Sequence, residues 1–132
     1  MTWRFPAARQ SPRDARAVAR DYAARHGADP ETLNAVALCV SEAVSNVVVH
    51  AYRNQTAPGE VELEARAPAG SLCLCVRDWG EGVTPRVDGP GIGLGLALIS
   101  QTAASTEIRT PDDGGTEVVM RFDLGSACAS LV

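Results

Sequence analysis

Glu42 and Asn46 stand four residues apart in a stretch whose apolar residues recur at helical spacing, so they share one helix face. An Asn side-chain oxygen suits a hard Mg²⁺ ion, which keeps several waters and takes its other ligands from phosphates. A Glu beside it can orient or deprotonate an attacking hydroxyl. On its own the pair also reads as two ordinary solvated side chains. Further along, Arg77-Asp78-Trp79-Gly80-Glu81-Gly82 follows an apolar alternating run directly. A carboxylate at that point, Asp78, can accept a hydrogen bond from an exocyclic amine such as adenine N6. Gly80 and Gly82 would let backbone approach a flat ring closely. Alone, this pattern fits a calcium loop or a plain turn equally well. Gly91, Gly93 and Gly95 lie where an apolar helical segment opens, and free backbone N–H groups at a helix start can hold phosphate oxygens. A dinucleotide-binding fingerprint would have to follow the first strand of a βαβ unit, which this run does not. A Walker A loop needs a Lys, and the chain has none. Finally, Gly114-Gly115-Thr116 places a hydroxyl beside two glycines, which suits either the wall of a ring pocket or a hairpin turn.

These groups need elements to hold them. Trp3 to Pro6 is expected as a short edge strand. Ser11-Pro12 reads as an N-cap followed by Pro at the first helical position, opening a helix that stops at Gly27. Asp29-Pro30 repeats the signal and opens a second helix. Its apolar stripe is Leu33, Val36, Val40, Ala43, Val44, Val47 and Val48, and its end is expected near Tyr52 or Arg53. Val61 to Ala65 alternates like a half-buried strand, Pro68-Ala69-Gly70 turns, and Leu72 to Val76 completes a hairpin. Asp78 to Gly93 is glycine-rich and loop-like. Leu94 to Ala104 is a third helix, and Thr106 to Thr110 and Thr116 to Phe122 are the closing strands. The order βααββαββ makes an α+β, two-layer sandwich: a mostly antiparallel, mixed sheet with helices on one face. Residues 1–124 are expected as one domain and 125–132 as a C-terminal tail.

Composition narrows the function. The chain has 132 residues, 12 basic and 16 acidic, for a net charge of −4, which argues against direct nucleic-acid binding. No apolar run approaches the roughly 18 residues of a membrane span, and a cytoplasmic location is expected. The four cysteines, Cys39, Cys73, Cys75 and Cys128, lack zinc spacing. Cys73 and Cys75 alternate within a strand and are expected as small buried thiols.

Taken together and in this order, the four features resemble the GHKL, or histidine-kinase-like, ATPase superfamily. They resemble most its anti-sigma-factor serine/threonine kinase branch. The stretch Ser41-Glu42-Ala43-Val44-Ser45-Asn46-Val47-Val48-Val49-His50-Ala51-Tyr52 is similar to that branch's helix box. Gly93-Leu94-Gly95-Leu96-Ala97-Leu98-Ile99 and Gly114-Gly115-Thr116-Glu117-Val118 are similar to its later boxes. The resemblance runs from about Trp3 to Leu124 and implies a Bergerat-type ATP-binding fold with ATP and Mg²⁺ as cofactors. It implies Asn46 as the Mg²⁺ ligand, Glu42 as the catalytic base and Asp78 as the adenine acceptor. Gly80 and Gly82 would shape that pocket, Gly91, Gly93 and Gly95 would hold phosphates, and Thr116 would assist the adenine. His50 matches a frequent His of the branch, with no role assigned. Arg13 and Arg16 lie near where the family meets its partners. Those partners would be a sigma factor and an anti-anti-sigma (STAS-type) protein, with the chain itself a homodimer.

One departure concerns the ATP lid: only eight residues separate Gly82 from Gly91, and Arg86 is their one basic side chain. A kinase and a nucleotide-gated interaction module without transfer activity therefore both follow from the resemblance. Glu42 favours the kinase, because binding alone needs no base. A complete histidine kinase would need a dimerising helix pair carrying a phosphoacceptor His, and this chain has no room for one.

Overall fold

The computed structural model describes residues 1–51, 59–80 and 92–124. In chain order they form β1 (Thr2–Pro6), α1 (Ser11–Arg25), α2 (Pro30–Asn46), a π-helical turn (Val47–Ala51), β2 (Glu60–Arg66), β3 (Ser71–Asp78), α3 (Ile92–Thr102), β4 (Ser105–Arg109) and β5 (Thr116–Asp123). The five strands lie in the order β1-β2-β3-β5-β4. Every pair is antiparallel, so the expected two-layer α+β architecture holds without the parallel component of a mixed sheet.

Strand alternation decides which side carries the core. Val61, Leu63 and Ala65 on β2, Leu72, Leu74 and Val76 on β3, and Val118, Met120 and Phe122 on β5 point to one face. There they meet Ala15, Ala19 and Ala23 of α1 and Val36, Val40 and Val44 of α2 in one apolar cluster. The alanine stripe on α1 lets that helix pack closely against α2. The other sheet face carries Glu62, Glu64, Arg77, Glu117, Arg121 and Arg109, charged side chains that can remain in water.

Two helix starts were expected from Ser-Pro and Asp-Pro, and they differ in the fold. Asp29 caps α2 as expected, its carboxylate accepting from the Thr32 N–H at 2.8 Å. Ser11 does not cap α1; Gln10 occupies that position without a side-chain cap. The Ser11 hydroxyl instead donates to the Pro6 carbonyl, tying the helix start to the end of β1. That carbonyl also accepts from the Ala8 N–H at 2.8 Å, so the hydroxyl fills its second lone pair and fixes the turn between β1 and α1.

The second helix also departs from expectation. Its α-helical part closes at Asn46, and five further residues continue as a π-helix. Tyr52 and Arg53, the expected end, lie outside the described residues. Taken together, Pro30–Ala51 forms 22 helical residues with a hydropathy of 1.6, long and apolar enough by those measures to cross a membrane. In the fold this helix is the central core element, with Val36, Cys39, Val40, Ala43 and Val44 buried against neighbouring elements. The tail expected after Leu124 lies outside the described residues.

Cys73 is buried, as expected, whereas Cys75, also expected to be buried, is half-buried; Cys39 on α2 is buried too. Burial, with a smaller contribution from Glu42, pushes the Cys39 thiol up to about 11. Burial, then the hydrogen bond and charge of Glu117, push Cys75 up to about 12. Both are therefore protonated and unreactive near neutral pH. Cys128 lies outside the described residues.

Candidate functional site

β3 ends on Asp78, whose position in the alternation sends its carboxylate to the helix side of the sheet. β5 begins opposite it: Asp78 and Thr116 are direct antiparallel partners. The two side chains therefore emerge on one face from neighbouring strands, and both are buried, at 3% and 4% exposure. Above them lies the end of α2, where Asn46 is the last α-helical residue. Asn46, Asp78 and Thr116 line one cavity whose remaining described walls are Ala43, Val47, Val76, Ile108 and Val118. Three polar groups thus converge in an otherwise apolar cleft, the usual composition of a small-molecule site.

The Asp78 carboxylate is held by backbone. The Gly80 N–H donates to Oδ1 at 2.9 Å, and the Thr116 N–H also hydrogen-bonds the carboxylate. Burial dominates nevertheless and raises its pKa above the ordinary carboxylate value; the two N–H bonds and the charge of Arg77 pull the other way without winning. A buried carboxylate in a cleft, with spare lone pairs, is poised to accept from a ligand N–H. Asn46 supplies the complementary signal. Its amide nitrogen is buried and has no hydrogen-bond partner among the described residues. An orphaned polar atom of that kind costs free energy unless a ligand completes it. Rotating the amide exchanges donor for acceptor, so the same position can serve a cation.

Two close backbone approaches shape the cleft. A Cβ at Gly80 would lie inside the Ala51 carbonyl, so only a glycine lets the chain leaving β3 pass the π-helical turn. Gly115 has φ +82°, and a Cβ there would lie inside the Asp78 carbonyl. The π-turn has no obvious signature in the sequence, yet it brings Ala51 onto Gly80 and so seats Asn46 over Asp78. Such turns inserted in α-helices recur at functional sites.

The expected residues are thus gathered in part. Asn46, Asp78, Gly80 and Thr116 meet. Glu42 lies one turn before Asn46 on α2, half-buried, and is not among the described residues lining the cavity. α3 opens at Ile92, two residues earlier than expected, so Gly93 joins Gly95 in its first turn rather than preceding the helix. Backbone N–H groups of a first turn lack an intrahelical acceptor and remain available to an anion. Gly82, Gly91 and the lid with Arg86 lie outside the described residues. His50 is half-buried in the π-turn. Arg13 and Arg16 are exposed on α1.

A layered α+β domain with an apolar cleft, a buried carboxylate at a strand end and an Asn on the covering helix defines a nucleotide-binding class of protein. The chain belongs to the histidine kinase-like ATPase domain family, which matches residues 5–122. It is similar to an anti-sigma F factor of Clostridium beijerinckii, 28% identical over 102 residues, which cover 69% of this chain and 71% of that protein. Among solved structures, the RsbU and RsbW domains of Rv1364c from Mycobacterium tuberculosis share the fold. The TM-score is 0.71 at 23% identity, over 93% of this chain and 32% of that one. The SiaB–SiaC complex of Pseudomonas aeruginosa gives a TM-score of 0.66 at 14% identity, over 92% of this chain and 88% of that one.

The raised pKa of Asp78 has a testable consequence. A carboxyl whose pKa is raised on folding binds protons more tightly in the native state. Its contribution to stability therefore falls as pH rises from the ordinary value of 3.8 through the folded value. Asp78→Asn removes that contribution. The variant's Tm relative to the parent is expected to increase between about pH 4 and about pH 7. Thermal denaturation across this range reads it; a difference that stays constant or shrinks contradicts the assignment. The same variant is expected to weaken adenine nucleotides roughly tenfold to a hundredfold, from the loss of a charge-assisted bond of about 1.5–3 kcal/mol. Unchanged ATP affinity by calorimetry would remove Asp78 from adenine recognition.

Proposed function

We propose that the chain is an ATP-binding anti-sigma factor and serine protein kinase. Its substrate would be an anti-anti-sigma protein of the STAS type, within a partner-switching regulatory system. The observation that carries this reading is the convergence of Asn46, Asp78 and Thr116 on one apolar cleft of a histidine kinase-like ATPase domain. The name of the relatives, anti-sigma F factor, supports the sigma-factor side of it.

Bound ATP with Mg²⁺ would supply the phosphoryl group and the charge neutralisation that its transfer needs. The protein's own residues divide the remaining work. Asp78 accepts the exocyclic amine, with the Gly80 and Thr116 amides fixing its carboxylate. Val47, Val76, Ile108 and Val118 exclude water from the ring. Asn46 would hold the metal through its amide oxygen. The first turn of α3, with Gly93 and Gly95, presents N–H groups to phosphate oxygens. Glu42, one helical turn from Asn46, takes the proton of the attacking Ser hydroxyl. Adding nearly two negative charges to the partner's Ser would then break its interface and exchange one partner for the other. A homodimeric cytoplasmic protein fits this role.

Asn46→Ala tests the metal role separately. ATP titrated with and without Mg²⁺ is expected to show tightening by the metal in the parent and none in the variant. An equal Mg²⁺ effect in both excludes Asn46 as a ligand.

The reading as a whole is tested by mixing the purified chain, Mg²⁺ and γ-labelled ATP with each STAS-type protein of the same genome. Label on a Ser of one of them identifies the kinase and its substrate together. Absence of label, with ATP still bound, assigns the chain instead to a nucleotide-gated interaction module.

A further inference from the structure

On the sheet face away from the helices, directly behind Asp78, lies a charged cluster that the cleft itself does not use. Arg77 precedes Asp78 and so points to the opposite side. One of its guanidinium nitrogens reaches both carboxylate oxygens of Asp113, at 2.8 and 2.9 Å. The same guanidinium lies 5.0 Å from the centre of the Trp79 ring, and that of Arg4 lies 5.1 Å from it. Arg4 is in turn held by Glu62, its Nε donating at 3.1 Å. Residues of β1, β2, β3 and the β4–β5 turn therefore meet around one indole.

Asp113 belongs to the turn that leads through Gly114 and Gly115 into Thr116. This turn touches the end of β3 at three levels. Asp113 grips Arg77 on the outer face. Gly115 rests on the backbone of Asp78 and Trp79. The Thr116 N–H bonds the Asp78 carboxylate inside the cleft. An exposed ion pair contributes little to global stability, and the Asp113 side chain is 66% exposed. The pair's effect must then be local: it holds the turn down on the residue whose carboxylate the turn helps to orient.

The geometry points to Arg77 as a positioning residue. Clamped on Asp113 and stacked on Trp79, it sets the β4–β5 turn against β3 and thereby fixes the Asp78 carboxylate for the exocyclic amine of an adenine nucleotide. Its role toward the nucleotide rests on the function proposed above; its role toward the Asp78 carboxylate does not. Arg rather than Lys is required, because a compact ammonium cannot stack on the indole and grip the carboxylate at once.

Amide exchange measured by NMR on the free protein separates the two levels. In Asp113→Asn the Gly80 and Thr116 amides, both donors to Asp78, are expected to exchange up to about fivefold faster. Amides of the core strand around Leu63 should keep their rates, and Tm should not move. Asp113→Glu should restore protection, and added KCl should bring the parent towards the variant, since the pair is open to screening. Calorimetry should show ATP weakened in Asp113→Asn by the same factor. Unchanged exchange at Gly80 and Thr116 overturns the clamp, and so does an acceleration shared by every core amide. Locally faster exchange with ATP bound as tightly as by the parent overturns the link to the nucleotide. Locally faster exchange in Asp113→Asn, with a parent that itself binds no ATP, upholds the clamp on Asp78 and defeats the nucleotide reading instead.

Discussion

Glu42→Ala is expected to slow phosphoryl transfer by about 10²–10⁴-fold while leaving ATP affinity nearly unchanged, as removal of a general base does. The separation of the two effects follows from where Glu42 stands. Asn46, Asp78 and Thr116 share the walls of the cleft, and Glu42 is not among them. It sits one turn earlier on the same face of α2, so its side chain starts about 5–6 Å from that of Asn46. In the function proposed above, Glu42 would then stand beside the transferred phosphate and outside the ring pocket. Glu42→Gln keeps the shape and loses the base, so it should fall with the Ala variant in rate. Single-turnover transfer from γ-labelled ATP to the Ser of a STAS-type partner measures the rate, and calorimetry measures the affinity. A transfer rate equal to the parent's in either variant removes Glu42 from the chemistry. Loss of ATP binding in parallel would show that it supports the site rather than the reaction.

Part of the candidate site could be read from the sequence because its signals are local. Glu42 and Asn46 share a helix face by spacing alone. Asp78 follows an alternating run, so its side of the sheet was set by Leu72, Leu74 and Val76. Asp29 capped its helix because the acceptor and the N–H it serves are three residues apart. What escaped depends on pairing at long range. Ser11 carries the same cap signal as Asp29, and a carbonyl from β1 claimed its hydroxyl first. The clamp between Arg77 and Asp113 joins residues 36 apart in the chain. It exists only once β3 and β5 adopt their register, which places Arg77 outward and the turn beside it. The π-turn after Asn46 is another such case: Val47 to Ala51 reads as more apolar helix, and nothing in those residues announces a wider coil. The contact of Ala51 with Gly80 is visible only when strand and helix are both in place.

Ala at Gly115 is expected to destabilise the fold by about 2–6 kcal/mol, the sum of a left-handed backbone and a steric overlap at about 1–3 kcal/mol each. For a chain of this length about 1 kcal/mol moves Tm by roughly 4 °C, so the fall is large and easily read. Gly114 provides the control one residue away. It too has a positive φ, +95°, but a Cβ there meets nothing within 4 Å. Gly114→Ala should therefore show the backbone strain alone, about 1–3 kcal/mol. The excess at Gly115 measures the approach of the turn to Asp78, whose carbonyl a Cβ would enter. Relief of that overlap must lift the turn from β3, which withdraws the Thr116 N–H from the Asp78 carboxylate. Surviving Gly115→Ala protein should then bind ATP more weakly than Gly114→Ala does. Thermal denaturation and ATP titration of both variants decide it. Equal losses of Tm at the two positions would mean that the turn does not press on Asp78, and that Thr116 finds its place in the cleft without it.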